Sequence, residues 1–234
     1  MAGTGQAVRA RRLRRLVLHG LGGGAACAAV ALALRATPFV RQIEGVTYDA
    51  RVHAFAASTP ADTNLVIVAV DDRSLEVLAP QVGRWPWPRD VYQNALAYLQ
   101  FAGARQVVFD IAFPAPDLDE PVKDTVFAEA IAAGGNVVLP VAFSAVDRAE
   151  QALVEAETGG APWLPRFAAP RAPGVAPQRG FERAEAPFAL LGEQAAALGS
   201  IAFRPDSADG TARRVPLVEW HRGEMYPALG LAAA

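Results

Sequence analysis

Cysteine is almost absent: Cys27 is the one thiol in 234 residues. No disulfide framework can form within the chain, and cysteine usage does not settle the compartment. Histidine is nearly as scarce, with His19, His53 and His221 far apart in sequence. A hydrolase needs a nucleophile beside an oriented base. Ser74 and Ser200 are present, but no G-x-S-x-G elbow frames either, so no catalysis is expected within these residues. An EF-hand spacing is also missing. Asp71, Asp72 and Asp110 offer oxygen donors of the type Ca²⁺ or Mg²⁺ takes. Asp206 and Asp209-Gly210 lack the remaining ligands and read as turn chemistry. No metal and no cofactor are expected. Lysine occurs once, at Lys123, which reads as a bias towards GC-rich codons.

Acidic residues are missing from the N-terminal region. Residues 1–35 hold six arginines and no Asp or Glu, which leaves 16 basic against 24 acidic groups in the remainder, about −8. An acidic body makes a poor nucleic-acid partner. The arginines instead pose a question of membrane topology. Arg9 to Arg15 form a cluster, and Leu16 to Leu34 are nineteen residues with no formal charge apart from the titratable His19. That length suits a helix crossing a hydrocarbon core. Gly20, Gly22, Gly23 and Gly24 are better tolerated in a bilayer than in water. The apolar run is longer than a usual signal-peptide core. A lipoprotein signal at Cys27 lacks the expected large aliphatic residue before it. An uncleaved anchor over 16–35 is the preferred reading, with 1–15 in the cytoplasm and the rest outside. The G-x-G-x-x-A match at residues 20–25 has no preceding strand, so it does not read as a dinucleotide site.

Beyond the anchor, apolar positions from Phe39 to Phe55 suit a helix. Leu65 to Val70 is a continuous β-branched run of the kind buried on both faces of a parallel sheet. The segment Arg84-Trp85-Pro86-Trp87-Pro88-Arg89-Asp90 follows, then a helix with its apolar face at 91, 95, 98, 99 and 102. Val107 to Phe113 reads as a second strand, Asp124 to Ala133 as a helix capped by Asp124 and stopped by Gly134-Gly135, and Val137 to Val141 as a third strand. Residues 144–186 lose all period and read as a variable insertion. Pro187 to Leu198 suits a helix, Ser200 to Phe203 a strand, and 215–220 with 224–229 a hairpin. The expected fold is α/β: a mostly parallel central sheet with flanking helices and a C-terminal antiparallel hairpin, preceded by one transmembrane helix. The apolar ending from Leu229 to Ala234, with no cap, charge or turn, reads as a helix cut short, as in the front part of a longer protein.

The order of these residues resembles the type-two CHASE sensor domain (cyclases/histidine kinases associated sensory extracellular). The likeness covers most of 40–234 and is weakest over 144–186. It is carried by Glu44 with Tyr48-Asp49-Ala50-Arg51, by Val66 to Leu75 followed by Trp85-Pro86-Trp87-Pro88-Arg89, by Ala102 to Ile111, and by Gly199, Pro205-Asp206, Asp209-Gly210 and Arg213-Arg214. The resemblance implies the sensory domain of a bacterial receptor, placed on the periplasmic or extracellular side of the cytoplasmic membrane. It also implies an adenylate or guanylate cyclase or a protein kinase as output beyond these residues; a homodimer is expected as well. The signal, a small molecule or a protein, is not specified. An alternative is an assembly module that sets dimerisation of such an enzyme and binds no small molecule.

Asp71, Asp72 and Asp110 end predicted parallel strands, where open α/β sheets hold their ligands. Arg73, Trp85 and Arg89 lie on nearby connections. Together these six form the candidate ligand site, suited to a small polar molecule. The preferred competing reading is an ion pair, Asp71–Arg89 or Asp110–Arg89, that pins the first crossover. Pro86 and Pro88 bias the tryptophans before them towards extended backbone. Such stiff rings plug a sheet edge at little entropic cost. This plug is preferred to a ligand grip, and both to a membrane-surface anchor.

Overall fold

The computed structural model describes residues 3–35, 37–56, 60, 62–144, 161–178, 180–203, 205 and 209–234. Two compact units divide the chain, one of Met1–Ile67 with Asp206–Thr211 and one of Val68–Pro205 with Ala212–Ala234. The first unit holds α1 (Gly3–Arg35) and α2 (Pro38–Ala56). Within α1, Leu16–Leu34 has a mean hydropathy of 1.8 and none of it is buried. By length and composition it can cross a membrane. The helix expected over 39–55 is α2.

The second unit opens with α3 (Asp72–Val82) and α4 (Arg89–Phe101), followed by β1 (Val107–Val108), α5 (Pro121–Gly134) and β2 (Val137–Ser144). Then come β3 (Arg183–Glu185), α6 (Ala189–Gly192), β4 (Ala197–Ser200), the hairpin strands β5 (Val218–His221) and β6 (Glu224–Pro227), and α7 (Leu229–Ala232). β2 is the central strand, pairing in parallel with β1 (Val107↔Val137) and with β4 (Leu139↔Leu198). Its far end pairs antiparallel with β3 (Phe143↔Ala184). Val137, Val138, Leu139 and Val141 are fully buried, as a strand covered on both faces requires. The β5–β6 turn uses Arg222 and Gly223, both at positive φ, the geometry that matches strand twist in a two-residue hairpin. The sheet is therefore mixed, with a parallel β1–β2–β4 core. Of the expected insertion 144–186, residues 145–160 and 179 lie outside the described residues. The remainder includes a 3₁₀ turn over Leu164–Phe167 and β3.

Five expectations are corrected. The run Leu65–Val70 joins no ladder, and Leu65, Val66, Ile67 and Val68 are 68–80% exposed. The run straddles the division between the units, and β-branched residues form a ladder only where a strand partners them. The buried face of α4 is Tyr92 and Leu96, while Tyr98 points to solvent. One position on a helix turns a side chain by about 100°, and the ring of Tyr92 takes the inward place. Asp124 does not cap α5; the helix starts one turn earlier, at Pro121. It does stop at glycine, with Gly135 left-handed at φ 60°. The helix expected over 187–198 shrinks to Ala189–Gly192, and the strand that follows is Ala197–Ser200 instead of 200–203. Gly192 packs so closely on the Trp163 ring that no side chain fits there.

Candidate functional site

The tryptophan–proline segment enters α4 with Trp87 buried at 6% and Trp85 at 44% exposure. The Trp85–Pro86 peptide is cis. Trp85 meets Trp87 edge-on at 5.4 Å, and Trp87 lies 6.5 Å from Tyr92. Tyr92 then packs on Phe113 (5.2 Å), and Phe113 on Phe127 (5.5 Å), mostly edge to face. The rings thus join α4, the loop after β1 and α5 into one seam.

Arg89 closes that seam. Its Nε donates to Asp124 Oδ1 at 2.9 Å and one terminal nitrogen donates to the Ala115 carbonyl at 2.8 Å. Its guanidinium also sits 5.0 Å from the Phe113 ring centroid. The other oxygen of Asp124 accepts the Asp117 N–H at 2.6 Å. The two side chains are 13% and 2% exposed, so the pair is desolvated but well bonded. Two polar atoms nearby, Trp87 Nε1 and Asp90 Oδ1, are buried without a partner among the described residues.

The expected ion pair thus has another carboxylate: Arg89 takes Asp124, not Asp71 or Asp110. Asp124 was legible by period. It stands at i with Phe127, Ala128 and Ile131 at i+3, i+4 and i+7, all buried on one stripe of α5. A carboxylate on an apolar stripe calls for a cation.

Asp71 is occupied as the cap of α3. Its carboxylate accepts the Ser74 N–H at 2.8 Å and the Ser74 hydroxyl at 2.5 Å, while its own N–H reaches Ser74 Oγ at 3.4 Å. The Ser74 hydroxyl bond, then the backbone bond, hold the Asp71 carboxyl below the ordinary carboxylate range. Asp72 and Arg73 occupy the first turn of α3, and Trp85 caps the aromatic seam.

Asp110 stands apart from the other five. It lines a cavity of about 330 Å³ at the carboxyl end of β1, together with Ser200 at the end of β4, Phe203, Val215, Ala228 and Leu229. Ser200 is buried and its Oγ accepts the Ala202 N–H at 3.1 Å. α7 forms a wall, entering against Gly199 so closely that a side chain there would meet the Leu229 backbone. This is the edge where parallel α/β sheets bind ligands. Ser200 and the chain around 203–229 had not been singled out as site residues.

His53 is exposed on α2, whereas His221 ends β5 buried and stacked 5.3 Å from Phe143. Burial pushes its imidazole below the ordinary pKa, against smaller opposing effects of the Phe181 carbonyl, 3.2 Å from Nδ1, and of Glu182. Among the described residues no three His, Cys, Asp or Glu side chains cluster as a metal site.

A family model of the CHASE2 domain matches residues 25–234. The chain belongs to the CHASE2 family. CHASE2 domains are extracellular sensory domains of receptors and are not catalytic. The resemblance drawn from the WPWPR segment and its neighbours is thereby confirmed. Neither the curated proteins nor the solved structures searched returned a match.

Proposed function

We propose that this CHASE2 domain is the signal-sensing part of a bacterial receptor of the cytoplasmic membrane. In this reading Leu16–Leu34 is its anchor, residues 1–15 are cytoplasmic, and the residues after about 35 face the periplasm or exterior. It controls a cyclase or kinase output carried elsewhere in the receptor. The observation that supports a ligand-driven mechanism is the cavity at the carboxyl ends of β1 and β4, which offers Asp110 and Ser200 above apolar walls. A ligand preferring one conformer shifts a pre-existing equilibrium. The chain carries the shift to the anchor through α2.

Topology is read by labelling intact cells with a membrane-impermeant maleimide, using Cys27→Ser as background. Thr63→Cys should label and Gln6→Cys should not. The reverse pattern, or a mature N-terminus after Leu34 in mass spectrometry, contradicts the anchor.

A second reading is a dimerisation module that binds no small molecule. It is favoured by the exposed apolar run Leu65–Val68, since such surfaces mark interaction sites. A homodimer fits either reading. A broad metabolite screen that never moves the melting transition of a self-associating chain would select the second.

A further inference from the structure

We propose that the cavity at Asp110 takes a small primary amine with an apolar body. The inference rests on the sensory reading above and names the ligand class of that site.

Three features carry it. The first is shape: an open hollow of about 330 Å³ gives room for a small molecule laid against the sheet edge. The second is the lining. Ile201, Phe203, Val215 and Leu229 supply apolar walls, and among the described lining residues Asp110 carries the only formal charge. A nucleotide or inorganic anion would meet a repelling carboxylate there, and a sugar would find only Asp110 and Ser200 to bond its many hydroxyls. The third is availability. The other acids weighed for this site are engaged or placed elsewhere: Asp71 caps α3, and Asp72 lies in its first turn. Asp110 forms no ion pair among the described residues. Asp110 itself is exposed at the mouth of the hollow, where its carboxylate can accept a charge-assisted hydrogen bond from an ammonium group. The buried Ser200 hydroxyl oxygen accepts the Ala202 N–H and keeps a second lone pair that can accept from an ammonium group. The hydrocarbon part of the ligand then covers Phe203 and Leu229, gaining the burial that those walls invite. The site lies entirely within the second compact unit.

The test uses the full 234-residue chain in lipid nanodiscs, titrated with 2-phenylethylamine by calorimetry and corrected with empty nanodiscs. 2-Phenylethanol, 3-phenylpropionate and L-phenylalanine serve as neutral, anionic and zwitterionic matches. The amine should bind, and the alcohol and the acid should bind at least about tenfold more weakly, the scale of one charge-assisted hydrogen bond. Asp110→Asn should lose a similar factor while melting as the wild type does, and Asp110→Glu should retain most of the affinity. Three results overturn the proposal: equal binding of the alcohol, unchanged binding in Asp110→Asn, or tighter binding of L-phenylalanine. If the amine fails while another metabolite class shifts the melting transition, the ligand class is wrong and the sensory reading stands. If no class shifts it, both fall.

Discussion

The aromatic seam around Arg89 and the cavity at Asp110 both draw on the loop after β1, yet they treat charge in opposite ways. In the seam, a guanidinium and a carboxylate are desolvated together and satisfied by each other, by Ala115 and by Asp117. At the cavity, a carboxylate faces apolar walls with no ion-pair partner among the described residues. The first arrangement stores its interactions inside the fold; the second leaves one to be made. The difference teaches that the segment most distinctive in sequence is a structural clamp, and that the plain Asp-Ile-Ala after β1 opens onto the candidate site.

Breaking the seam should have the largest effect. Arg89→Ala leaves Asp124 buried without its cation and should cost about 3 kcal/mol, the scale for one lost partner of a buried pair. Denaturant unfolding followed by tryptophan fluorescence measures it. A cost near zero would make the clamp a surface ornament and erase the contrast with the cavity.

A smaller effect is expected from pH. His221 has a folded pKa below its unfolded value because it is buried. Above about pH 6.5 it is neutral in both states and contributes no pH dependence. As pH falls below that, the unfolded chain binds the proton first, so stability declines until the folded pKa is passed and then levels. The groups that face it are the Phe181 carbonyl, Glu182, the Phe143 ring, Tyr226 and Glu224, its partner across the hairpin. His221→Phe should therefore melt with a shallower decline between pH 7 and 5 than the wild type. An identical decline would assign the acid sensitivity to the carboxylates instead.

Much of the fold was legible from local pattern. The two-glycine stop of α5, the β2 run and the hairpin turn each state their conformation within a few residues. The clamp was half legible: Arg89 announced itself beside two tryptophans, but its partner was sought among the aspartates after strands. Asp124 was given a capping role because a helix start is read from sequence only to within a turn. The cavity was least legible. Asp110 was marked by its place after a strand, whereas Ser200, Phe203, Val215 and Leu229 meet it only through the β1–β2–β4 order and the return of α7 against Gly199. No local period encodes that meeting. The run Leu65–Val70 shows the converse: strong strand propensity is not a strand until a ladder accepts it.

Hydrogen exchange of the full chain in nanodiscs, with and without saturating 2-phenylethylamine, tests the contrast most directly. Added protection is predicted at 109–111, 200–203 and 228–231, with none at 84–92. Protection gained at 84–92 while the Asp110 edge stays unchanged would contradict it, making the tryptophan seam the sensor and the cavity mere surface.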